Sequence, residues 1–93
     1  MGLIVERRGE RQHFDERVLY ASIYHVFRLE GRNETEAENR AAVITEEVKD
    51  WIRQEKEKCV TAEELRHKAL ARIEERDEAV AETYREECDV DEF

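Results

Sequence analysis

The sequence predicts an α+β domain that is mostly helical, with an N-terminal β-hairpin packed on a four-helix cluster. Three observations predict it. A short apolar run at Leu3, Ile4 and Val5, a charged turn around Gly9 and a second short segment ending in Phe14 read as a hairpin, and Asp15 then opens a long amphipathic pattern. Beyond it, apolar residues recur at helical spacing behind recognisable start signals. The composition agrees, since 44% charged residues, 40% apolar residues and no proline describe helices with heavily ionised outer faces.

The first helix is expected from Asp15, whose carboxylate can accept a bond from an amide of the first turn, to Gly31, which suits the left-handed conformation past a helix end. Its inward positions are Leu19, Ile23, Val26 and Phe27, widened by Tyr20 and Tyr24. Asn33 with Glu36 starts the second helix, which turns Ala37, Ala41, Ile44, Val48, Trp51 and Ile52 inward. Val60, Thr61, Glu64 and Leu65 carry a capping box and a hydrophobic staple for the third, with Leu65, Ala69, Leu70 and Ile73 inward. Asp77 caps a fourth that presents Val80, Tyr84 and Cys88. The expected order is two strands and then four helices, forming one domain over residues 1–88 with an acidic, frayed tail at 89–93. Two strands cannot stand alone in water, so the hairpin should lie on the helices through Ile4 and Phe14.

A formal charge of −9 argues against general nucleic-acid binding, which relies on cations neutralising phosphates. No segment approaches the roughly 20 apolar residues of a membrane span, and no signal peptide is visible. A soluble, cytoplasmic protein is expected, without membrane or nucleic-acid partners. Cys59 and Cys88 are too few and too separated for a disulfide scaffold or a zinc site. His13, His25 and His67 lack metal-ligand spacing, Ser22 is the lone serine, and three glycines cannot build a phosphate loop. The chain is therefore expected to be no enzyme and to need no cofactor or metal. Its densest cationic group is Arg7, Arg8, Arg11 and Arg17, which either converges on an anion or pairs with Glu6, Glu10 and Glu16.

At these residues the chain resembles the ATP-cone family, regulatory nucleotide-binding domains of ribonucleotide reductases and of a repressor of their genes. The family's opening pattern, V-x-K-R-D-G followed by four variable residues and F-D-x-x-K-[IL], is matched by Ile4, Val5, Glu6, Arg7, Arg8, Gly9 and then Phe14, Asp15, Glu16, Arg17, Val18 and Leu19. The stretch from Val60 to Leu65 and the segment with Val80, Ala81 and Tyr84 are similar to later family elements, so the resemblance covers almost the whole chain. It implies a hairpin lid over four helices with ATP or dATP between them as an allosteric effector. Taken with the cationic group, it makes Ile4, Arg7, Arg8, Arg11, Asp15, Arg17 and Leu19 the candidate nucleotide-binding residues. Glu6 and Val18 stand where the family has phosphate-binding lysines. Two functions follow: a stand-alone ATP-cone-like module acting on a partner protein or as a homo-oligomer, or a degenerate cone kept as a helical protein–protein interaction module.

Overall fold

The computed structural model describes residues 3–54 and 59–87. Along these residues run β1 (Ile4–Arg7), β2 (Glu10–His13), α1 (Glu16–Leu29), α2 (Glu34–Gln54), β3 (Cys59–Thr61), α3 (Ala62–Glu74) and α4 (Glu78–Glu87). The hairpin followed by four helices is the predicted fold class. The expected frayed tail at 89–93, and Cys88 as an inward residue of the fourth helix, lie outside the described residues.

Local chemistry explains the hairpin. Arg8 and Gly9 both have positive φ, 52° and 84°, which is the two-residue turn whose twist matches that of paired strands. Val5 then stands opposite Gln12 and Glu6 opposite Arg11, and the Phe14 amide extends the ladder by donating to the Leu3 carbonyl at 2.8 Å.

The sheet contains a third strand that the sequence reading did not anticipate. β3 pairs parallel with β1, setting Ile4 opposite Cys59, Val5 opposite Val60 and Glu6 opposite Thr61, in the order β2-β1-β3. Three residues are too short to show a period of two, and their hydrogen-bonding partner lies far away in the chain. A third strand and a helical layer below give the hairpin the support that two strands lack.

Alternation also corrects which side chain anchors the hairpin. Val5 is the buried residue, in one core with Val60, while Ile4 lies on the opposite face and is only partly buried. Phe14 packs against the core as expected, joined by Leu3.

The helices begin where the sequence places their start signals, and α1 ends at its glycine stop signal. Asp15 accepts from the Arg17 amide at 3.0 Å, Asn33 from the Glu36 amide at 2.8 Å and Asp77 from the Val80 amide at 3.3 Å. Thr61 and Glu64 form the full reciprocal box, at 2.9 and 3.0 Å. α1 stops in a Schellman arrangement: Gly31 at φ +84° donates to the Arg28 carbonyl, and Arg32 donates to that of Phe27. Leu19, Ile23, Val26 and Phe27 of α1 are fully enclosed, with Ala37, Ala41, Ile44, Val48 and Ile52 of α2, Ile73 of α3 and Val80 of α4. Trp51 and Leu70 only flank this core, Trp51 lying under the Lys68 ammonium at 5.1 Å.

Charged side chains tie the helices at the core's edge. Arg32 holds Asp77 at 2.7 Å, and Arg76 holds Glu47 at 2.6 Å. The fork of Arg32 closes on the carboxylate that caps α4, so the turn after α1 is fastened to the start of α4. Hydrogen bonding to Asp77 raises the Arg32 pKa further above its ordinary value.

Candidate functional site

The candidate residues divide by location. Arg8 occupies the hairpin turn and Arg11 the exposed strand β2. The backbone of Arg7 stands opposite Glu10 in β1, and Ile4 opposite His13. Asp15 and Arg17 come together at the start of α1, with guanidinium-to-carboxylate distances of 3.3 and 3.4 Å. Leu19 is completely enclosed in the core, where it holds α1 in place and presents no surface to a ligand.

Asp15 is thus a cap and an ion-pair partner at once. The Arg17 guanidinium, and next the Arg17 amide, hold its carboxyl below the usual carboxylate range, and the same bond raises the Arg17 pKa. Arg17 remains 89% exposed and Asp15 44% exposed, so this pair stands in water. Glu16 has a different partner from the arginines proposed for it: Lys49 of α2 contacts it and also binds Glu46 at 3.0 Å. Hydrogen bonds from Glu16 and then Glu46 raise the Lys49 pKa.

Two surface concavities accompany these groups. One, of about 330 Å³, runs between α1 and α2 and is lined by Glu16, Arg17, Tyr20, Ala42, Thr45 and Glu46. The other, of about 480 Å³, lies along the outer face of α2, between Asn33 and Val43. Beside the first, Tyr20 and Tyr24 stack with ring centroids 6.3 Å apart and planes 11° apart. Val18, next to Arg17 on α1, is 45% exposed.

The Lys49 bridge, the tyrosine stack and the buried Thr45 hydroxyl were absent from the sequence reading. Spacing alone marks Tyr20 with Tyr24 and Glu46 with Lys49 as neighbours on a helix. Nothing local marks Glu16 with Lys49, which meet only when α1 packs on α2.

No family, curated protein or solved structure matches this chain. Among the described residues there is no group of three metal-ligating side chains, and no helix is long and apolar enough to cross a membrane.

Proposed function

We propose that the chain is a regulatory module of the ATP-cone type, taking an adenine nucleotide at the hairpin as an effector and acting on a partner protein. It is a binding module with no reaction of its own. The observation that carries this reading is the parallel pairing of β1 with β3. The segment resembling the family's opening pattern and the one resembling its V-T-x-E-E-L helix start are distant in sequence, yet Glu6 of one stands opposite Thr61 of the other. Two separate resemblances therefore belong to one sheet. Arg8, Arg11 and Arg17 add exposed, fork-shaped donors beside it.

The expected affinity is low. Each charge-assisted contact is worth about 1.5 to 3 kcal/mol, so missing two lysines weakens triphosphate binding by roughly two to four orders of magnitude. Titration of the labelled protein with ATP, dATP and ADP checks this. Saturable shifts at Ile4, Glu6, Val18 and Thr61 are expected at millimolar nucleotide; neither heat nor shift at that concentration rejects the reading.

A second reading is favoured by Val18 and Glu6 themselves. An exposed valine and a carboxylate at the phosphate positions describe a disarmed cone that serves as an interaction module, with Leu29, 51% exposed, adding apolar surface on the same helix. Glu6→Lys combined with Val18→Lys separates the two. If only the double variant binds ATP, the native chain is the disarmed form.

A further inference from the structure

Of the four helices, α4 is the one least held by the core. It is ten residues long and encloses three side chains, Val80, Ala81 and Tyr84, against four in α1, six in α2 and four in α3. These three lie against α1 and α3, the helices on which α4 packs. A segment of this length is marginal as an isolated helix in water, so α4 keeps its form only while docked. Docking and folding of α4 are therefore one event.

Two polar ties fasten it to a single turn. Glu30 and Arg32 stand on either side of Gly31, whose φ is +84°, and each reaches α4. Arg32 sets Nε at 2.8 Å and Nη2 at 2.7 Å from Asp77 Oδ2, which leaves Oδ1 to cap the Val80 amide. Its Nη1 donates to the Glu30 carbonyl at 2.9 Å, so the guanidinium is seated in the turn that carries it. The Glu30 carboxylate accepts from the Thr83 hydroxyl. Asp77 and Thr83 are about 9 Å apart along the helix, and attachment at two points fixes both its tilt and its rotation. The tie to α3 is looser: Arg85 meets Glu74 at 3.1 Å, with both side chains about half exposed.

We propose that α4 is a latched lid. It leaves α1 and α3 as one unit while the sheet and the other three helices stay folded, and the turn from Glu30 to Arg32 is the latch that sets how often. The three-stranded sheet and the α1–α2 pair are complete without it. Opening bares the apolar seam of α1 and α3 that the closed form hides. The open form is a minor species, so bulk unfolding remains a single transition. The proposal does not rest on nucleotide binding.

Native-state amide exchange of the full chain tests it. Protection at Ala81, Thr83 and Tyr84 is expected to be uniform and about tenfold or more below that of Ile44 and Val48 in α2. Arg32→Met and Thr83→Val, which remove one tie each, lower the α4 protection about threefold or more. Val5→Ala, in a strand that packs on α3, lowers protection at Ile44 and Val48 about tenfold but leaves α4 within about twofold, because contacts of Val5 survive the opening of α4. Equal protection of α4 and α2 in the native chain, a parallel fall of both in Val5→Ala, or no change at α4 in either tie variant overturns the proposal. So does protection that declines steadily toward Glu87, which is fraying rather than release.

Discussion

At Asp15 one carboxylate satisfies an amide of α1 and pairs with Arg17, and both contacts favour its ionised form. A carboxyl held below its ordinary range stabilises the fold above the unfolded-state pKa, and that contribution is lost as pH falls through the lower, folded-state value. Asp15→Asn is therefore expected to flatten the acid limb of a stability profile measured by denaturant unfolding, with little effect of pH on the difference above the ordinary carboxylate range. Thr45 presents the opposite situation. It is only 5% exposed, and its hydroxyl has no hydrogen-bond partner. Exchanging such a hydroxyl for a methyl of the same shape removes a desolvation penalty of about 1 to 3 kcal/mol, so Thr45→Val is expected to raise the midpoint of urea unfolding. A fall in that midpoint would show that the hydroxyl is satisfied in solution.

Individual elements were legible in the sequence to the extent that their causes are local. The caps of α1, α2, α3 and α4 depend on residues two or three positions apart, and all were found. β3 depends on β1, a partner that no short window contains. The phase of β1 was equally hidden, because Leu3, Ile4 and Val5 are all apolar and only the helices below select Leu3 and Val5. The same division runs through the candidate site: Asp15 as a cap was local and Leu19 periodic, whereas the choice of Asp15 over Glu16 as the partner of Arg17, and of Lys49 as the partner of Glu16, depended on side chains set by the packed helices. Two substitutions probe these elements. Gly9 has open space where a Cβ would stand, so Gly9→Ala meets only its φ of +84°, a cost of about 1 to 2 kcal/mol. Thr61→Ala removes one side of the α3 box and is expected to cost about 1 kcal/mol. Thermal melts check both.

For the whole molecule, the sheet and the helices form one cooperative body because Val5 and Val60 join the same core as the helical residues. Val5→Ala is expected to cost about 2 kcal/mol. Trp51 fluorescence and the amide exchange of β1 should then report the same loss, although the two probes lie in different elements. Separate transitions would mean that the sheet opens on its own.

β1 is the middle strand, bonded antiparallel to β2 on one edge and parallel to β3 on the other. Mechanically it is a tendon. Tension applied at Leu3 runs along β1, loads both ladders in shear and arrives at Thr61, where the cap of α3 is anchored. A partner that tugs on the beginning of this domain is thereby geared to a helix that starts some sixty residues away.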